Sequence, residues 1–249
     1  RARRADVSFG RGVAAENLAA WVQDHDLRRI LVLASPSQTT TVQRLTASVH
    51  DRVVGTFTAI AEHVPAATAE AALRASEDPR ADPVLSIGGG STTGTAKAIA
   101  LRTGLPVIAI PTTLAGSEMT DTWGMTTDGR KHTGKDALVL PRAVIYDPEL
   151  LASLPTRLAV TSAFNAMAHC VEAFWGPGAN PLSSILAADG IRRLADGLRA
   201  LKNEEPYAHE LLQYGSFLAG LVFAEAGSGL HHKICHALGG AFDLSHAGT

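Results

Sequence analysis

The sequence predicts an α/β N-terminal domain, a doubly wound and mostly parallel sheet, followed by an all-α C-terminal domain. Three observations predict it. Short, continuously apolar runs alternate with helical patterns as far as Asp147-Pro148, as expected of strands buried on both faces of a parallel sheet. Beyond that dipeptide the strand-like runs stop and long helical patterns take over. A triple glycine, Gly88-Gly89-Gly90, joins one apolar run to the next helical pattern, which is where such sheets meet phosphates.

In chain order, the expected strands are Arg29 to Ala34, Arg52 to Phe57, Pro83 to Ile87, Pro106 to Ile110 and Ala143 to Tyr146. The helices between them are Ala14 to His25, Thr40 to Val49, Thr68 to Ser76 and Thr93 to Arg102. That order reads as βαβ units. The later helices are Leu158 to Trp175, Pro181 to Leu201, His209 to Ala224 and Leu230 to Leu238. Gly176-Pro177-Gly178 stops the first of these, and Asn180-Pro181 starts the second with a capping side chain and a proline at the first turn. The boundary falls near Leu154-Pro155, giving a dinucleotide-binding α/β domain over 1–154 and a helical domain over 155–249. No closing helix follows the histidine-rich stretch before Thr249, so the helical domain reads as truncated.

Composition narrows the function classes. The chain has 249 residues, 46% apolar and 18% charged, an ordinary globular mix. A net charge of −2 gives no reason to expect nucleic acid or an anionic membrane as partner. No apolar run approaches the roughly 18–20 residues of a membrane span, and the basic start RARRADVSFG leads into no signal-peptide core. Two cysteines, Cys170 and Cys235, imply no disulfide framework. A cytoplasmic, soluble protein is expected.

The segment Ser86 to Gly94 follows a buried strand and opens a helix containing Lys97. Consecutive glycines let the backbone approach a pyrophosphate, and the helix start offers N–H donors and the positive dipole end. It is neither the strict GxGxxG pattern nor a Walker A loop. The next strand ends in Pro111-Thr112-Thr113-Leu114-Ala115-Gly116-Ser117-Glu118, a second wall for the same dinucleotide. After the first strand comes Ser35-Pro36-Ser37, where an acidic residue commonly grips the ribose of NAD. With no carboxylate there to repel a 2′-phosphate, NADH and NADPH should both be accepted.

Six of the ten histidines lie after residue 165. Asn165 and His169 stand at i, i+4, as do His232 and His236, so each pair shares a helix face. His246 lies beyond Gly239-Gly240. His231, on another face from His232, and His209 read as structural. His63 is a weaker candidate for a site-facing loop.

The run from Gly88 to His246 resembles the iron-containing alcohol dehydrogenase superfamily. Its members carry a GGGS loop, a PTT…GSE segment, DPxLxxxLP, an Asp-x-x-x-His helix and GLxHxxxHxLGG…H. Here these are Gly88 to Ser91, Pro111 to Glu118, Asp147 to Pro155, Asn165 to His169 and Gly229 to His246. The segments Thr112 to Thr120, Leu140 to Leu150 and Leu230 to His236, with Asn165 in place of Asp, are similar to the maleylacetate reductase family. The resemblance implies reduction of the C=C bond of maleylacetate to 3-oxoadipate by NADH or NADPH, in aromatic-compound degradation. It implies catalytic roles for His232, His236, His169, His246 and Asn165. The cofactor set is Ser35, Gly88, Gly89, Gly90, Ser91, Thr112, Thr113, Ser117 and Lys135.

In metal-dependent relatives, the positions of Asn165, His169, His232 and His246 bind Fe²⁺ or Zn²⁺. Asn is a poorer ligand than a carboxylate, and an enone needs less polarisation than an isolated ketone. A metal is therefore not expected to be required. Hydrogen-bond donors or an imidazolium would stabilise the enolate oxygen instead, with His232 and His236 in that role and one of them a general acid. The partner is a small dicarboxylate, which calls for a cation nearby; Lys233 is close in sequence. A homodimer is expected. Two alternatives stay open: a metal-dependent alcohol dehydrogenase of the same superfamily, and an inactive nucleotide-binding module.

Overall fold

The computed structural model describes residues 5–61, 64–74, 81–127, 130–227, 229–232 and 234–235. By contact pattern the chain divides into two compact units. One comprises Arg1–Thr112 and Ser117–Leu150, the other Thr113–Gly116 and Leu151–Thr249. Among the described residues no helix is long and apolar enough to cross a membrane.

The first unit is a six-stranded sheet in the order β1-β8-β5-β4-β2-β3. Its strands are β1 (Asp6–Phe9), β2 (Ile30–Ala34), β3 (Val53–Phe57), β4 (Val84–Gly88), β5 (Val107–Pro111) and β8 (Ala143–Tyr146). Every pairing in it is parallel. Strands β2, β4 and β5 are buried along their whole length because both faces are covered. Alternate residues divide between two cores. Ile30, Val32, Leu85, Ile87, Ile108 and Ile110 pack with α1 (Ala14–Asp24) and α2 (Thr39–Thr46). Leu31, Leu33, Val84 and Val107 pack with α3 (Ala66–Arg74) and α4 (Gly90–Thr103). Each such fully buried Leu or Ile contributes about 1.5–3 kcal/mol.

The two layers create the feature that matters for ligands. β2 runs into α2 on one face, whereas its neighbour β4 runs into α4 on the other. Between them lies the topological switch point, where open α/β sheets bind ligands at the carboxyl ends of the strands.

Two elements were not expected from the sequence. β1 is an edge strand paired with β8 from Asp6↔Ala143 to Phe9↔Tyr146. A hairpin of β6 (Thr122–Thr127) and β7 (Arg130–Lys135) forms a separate antiparallel sheet. β1 alternates polar and apolar over only four residues, and the hairpin is polar and glycine-containing, so neither makes a buried-strand pattern. Expected helix ends shifted by one to three residues, and the run after Thr46 became a 3-10 segment, Ala47–Arg52.

Asp147, in the Asp-Pro dipeptide that closes β8, is 1% exposed and structural. Its Oδ1 accepts from the backbone N–H of Gly12 (2.9 Å) and Glu149 (3.1 Å), and its Oδ2 from that of Ala14 (3.2 Å). It thereby satisfies donors at the start of α1 that the helix leaves unpaired.

The described part of the second unit holds α5 (Thr156–Glu172), α6 (Pro181–Lys202) and α7 (Ala208–Ala226), followed by helical residues at 230–232 and 234–235. α6 starts as expected. The Asn180 side chain accepts from the Leu182 and Ser183 N–H groups, and Ser183 returns a bond to the Asn180 N–H, a capping box. The core pairs small residues with leucines: Ala163, Ala166 and Cys170 of α5, Ala187 and Leu194 of α6, Leu212, Ala219 and Val222 of α7.

Candidate functional site

Of the residues expected to bind the nucleotide, Gly88 to Ser91, Thr112 and Ser35 gather where β4, β5 and β2 end. Gly88 closes β4, Gly89 caps α4 in an extended conformation, and Gly90 begins the helix. A Cβ on Gly88 would lie 2.4 Å from Thr92 Oγ1 and 2.9 Å from Thr92 Cβ. Only glycine lets the first turn of α4 fold this tightly against the strand. Thr93 N–H bonds back to Gly89 O at 3.0 Å, so the N–H groups of Gly90, Ser91 and Thr92 are those a helix start leaves for an outside acceptor. Gly89, Gly90 and Ser91 are half-buried. An anion here meets these donors and the positive end of a 14-residue helix dipole.

The neighbouring strands close in on the same end. Gly88 is in register with Pro111, and Thr112 N–H donates to Gly88 O at 3.0 Å. Ala34 is in register with Ile87, which places Ser35 at the carboxyl end of β2, beside the loop strand. Ser35 Oγ is 2.9 Å from Ser37 Oγ. Thr113, the other member of the threonine pair, is half-buried and belongs to the second unit. Lys135 ends β7, largely exposed, its ammonium 4.0 Å from Asp121.

Lys97 does not reach the phosphate loop. It is 2% exposed, and its ammonium donates to Ser117 O (2.7 Å), Thr120 O (2.7 Å), Thr120 Oγ1 (3.0 Å) and Thr122 O (2.8 Å). Burial pulls its pKa down to about 7, against the pull of the Glu118 and Asp121 carboxylates. It is a knot that shapes the segment carrying Ser117. Glu118 and Tyr146 lie buried beside one another, with the phenol donating to Glu118 Oε1 at 2.8 Å. Burial raises the pKa of both groups.

In the second unit α5 carries Asn165, His169 and Glu172 at i, i+4 and i+7, one face of the helix. The His169 ring packs against Phe223 (centroids 4.6 Å apart) and stacks on His232 at 3.7 Å with planes 15° apart. His232 is 3% exposed, and its Nδ1 lies 2.5 Å from Glu172 Oε2. Glu172 also accepts from the N–H groups of Gly229 (3.0 Å) and His232 (3.4 Å). Burial pushes its carboxyl up, but these bonds and the imidazole outweigh it and hold the group below its ordinary range. Among the described residues nothing bonds Nε2 of His232. His231 is exposed, its Nε2 3.7 Å from Cys235 Sγ.

Of the expected catalytic set, Asn165, His169 and His232 are described, and α5 and the 230–232 turn bring the two histidines into contact. His236 and His246 lie outside the described residues, as do Lys233 and His63. Glu172 was missed. An acid near a helix end reads as solvent-facing, yet its place seven residues after Asn165 and three after His169 was the available signal.

Metal fit can be judged from the same geometry. Imidazole ligands point a lone pair in the ring plane at an ion about 2.1 Å away. The His169 and His232 ring centroids lie 3.7 Å apart with the planes inclined by only 15°, so the stacked rings do not aim their in-plane lone pairs at one point. Glu172, His231 and His232 place one ligand atom each within 4.8 Å of one another, but Glu172 is already engaged by three donors. Among the described residues that trio is the group whose donor atoms could hold a divalent ion.

A family model described as iron-containing alcohol dehydrogenase matches residues 5–148, and a C-terminal model of the Fe-containing alcohol dehydrogenase family matches residues 159–249. A maleylacetate reductase of Sphingobium indicum is 46% identical, covering 89% of this chain and 63% of its own length. One from Burkholderia cepacia is 44% identical, covering 99% and 70%. The crystal structure of a maleylacetate reductase from Agrobacterium tumefaciens superposes with a TM-score of 0.94 at 40% identity, over 99% of this chain and 71% of that one. The chain thus spans 63–70% of the length of the two curated relatives. In both its parts the chain belongs to the iron-containing alcohol dehydrogenase family, and within it to the maleylacetate reductase group.

Proposed function

We propose that this chain reduces the C=C bond of maleylacetate, with NADH or NADPH as hydride donor, to give 3-oxoadipate. The observation that carries the reading is the level and span of identity with maleylacetate reductases. In this reading each expected residue takes a role. Gly88 to Ser91 and the start of α4 hold the pyrophosphate, with Thr112, Thr113 and Ser117 along the nucleotide and Ser35 at its ribose. Lys135 is the outlying member of that set. Residues 1–154 hold the nucleotide and 155–249 act on the substrate.

The hydride adds to the carbon β to the ketone, the π electrons move onto the ketone oxygen as an enolate, and a proton then reaches the α carbon. As an imidazolium held by Nδ1 to Glu172, His232 donates from Nε2–H to that oxygen as its negative charge develops, in a buried setting where such stabilisation is large. His236 shares that work as donor and general acid, while His169, His246 and Asn165 orient the substrate. The reading needs no metal, which the neutral Asn165 and the stacked His169–His232 pair support. It extends to a cytosolic homodimer whose small-molecule partner is a dicarboxylate. The edge strand β1, with half-exposed Val7 and Phe9, is a surface a second copy could pair with.

Turnover is measured with maleylacetate and each reduced nicotinamide, before and after chelation. Oxidation of both cofactors, with at most a roughly tenfold difference in efficiency (about 1.4 kcal/mol) and no loss to the chelator, is expected. Activity that disappears with the chelator and returns with Fe²⁺ or Zn²⁺ would overturn the metal-free reading in favour of a metal-dependent dehydrogenase.

A further inference from the structure

Directly behind His232 lies a carboxylate that the reductase reading leaves without a role. Glu172 is the last residue of α5 and 1% exposed. An ionised carboxylate is costly to bury unless its oxygens are satisfied. Here Oε2 accepts from Gly229 N–H at 3.0 Å and lies 2.5 Å from His232 Nδ1, while Oε1 accepts from His232 N–H at 3.4 Å. All three donors come from one short stretch of chain. A Cβ on Gly229 would sit 2.7 Å from Oε1, so glycine is what lets that backbone reach the carboxylate.

The chemistry of the contact sets the hydrogen on the ring. An ionised carboxylate only accepts, so Nδ1 of His232 carries the hydrogen that it donates. Nε2 is then the nitrogen left for a substrate, and among the described residues nothing bonds to it although His232 is buried. The His169 ring stacked at 3.7 Å limits rotation from the other side. We infer that Glu172 is a positioning residue for His232, holding the ring by its Nδ1–H and favouring the imidazolium, so that Nε2–H is presented as a donor to the substrate's ketone oxygen. The substrate in that statement rests on the reductase reading. The hydrogen on Nδ1 belongs to the chain alone.

Glu172→Gln keeps the shape but replaces one acceptor oxygen by an NH₂ group, so it cannot serve all three donors. Its kcat should fall about 10- to 100-fold, the scale for losing a residue that orients another, with KM for maleylacetate and binding of NADH little changed. Glu172→Asp, which keeps the charge, should recover part of kcat. A kcat within twofold of the parent for Glu172→Gln would overturn the inference. Nitrogen NMR of the unsubstituted protein with labelled histidine, assigned with His232→Gln, tests it without turnover or a folded Glu172 variant. A protonated Nδ1 on His232 is expected; a bare Nδ1 with hydrogen only on Nε2 would overturn it. If the unsubstituted protein does not reduce maleylacetate, the reductase reading fails while the NMR result still decides the role of Glu172.

Discussion

His231 and His232 are adjacent in sequence and differ completely in surroundings: one is exposed, the other 3% exposed and bonded to a buried carboxylate. Neighbours on a helix lie about 100° apart and cannot share a face. Replacing His232 by Ala should therefore lower turnover by about 10²-fold or more, the scale of losing an oxyanion donor or general acid. His231→Ala should leave turnover nearly intact. Nucleotide affinity, measured by fluorescence titration, should persist in both because the phosphate loop is untouched. The reverse pattern would put the chemistry on the wrong face. Ser35 makes a separate prediction. It lies at the carboxyl end of β2, beside the loop strand, with no carboxylate in the position that grips a ribose. Ser35→Asp should selectively weaken NADPH, and equal losses for both cofactors would place Ser35 outside the ribose pocket.

At the scale of elements, the Lys97 knot ties α4 to the segment from Ser117 to Thr122. Lys97→Met leaves three carbonyls without that donor and should cost about 2 kcal/mol or more. The pH dependence has a definite sign. An unfolded lysine keeps its proton to about 10.5, whereas the folded one releases it near about 7. Between those values the unfolded chain binds the extra proton, so the lysine's contribution declines as pH falls from about 10 to about 7 and levels off below. Urea midpoints of parent and Lys97→Met at both ends of that window check it; a difference independent of pH would contradict it. The same scale shows what could be read in advance. Strands β2, β4 and β5 were legible because both of their faces are buried, which makes them continuously apolar. β1 was not, since a four-residue edge strand has one partner and little to bury. The β6–β7 hairpin was hidden by its polar sequence, although Asp128-Gly129, a hairpin signal, stands between its strands; those two residues lie outside the described ones. Glu172 was illegible for another reason: its partners, Gly229 and His232, are about sixty residues away in sequence, and no local pattern records a pairing at that distance.

The whole molecule combines two compact units with different chemistry. One is a parallel sheet whose switch point offers backbone donors to an anion; the other is a helical unit whose buried imidazole is backed by a carboxylate. The central claim is the proposed one, that the hydride is delivered to carbon rather than to a carbonyl. Reduction of maleylacetate with NADH deuterated at the transferred position tests that claim most directly. The account predicts 3-oxoadipate with deuterium on the carbon β to a retained ketone, one nucleotide oxidised per product, with or without chelator. A hydroxy acid with deuterium on the carbinol carbon would contradict it.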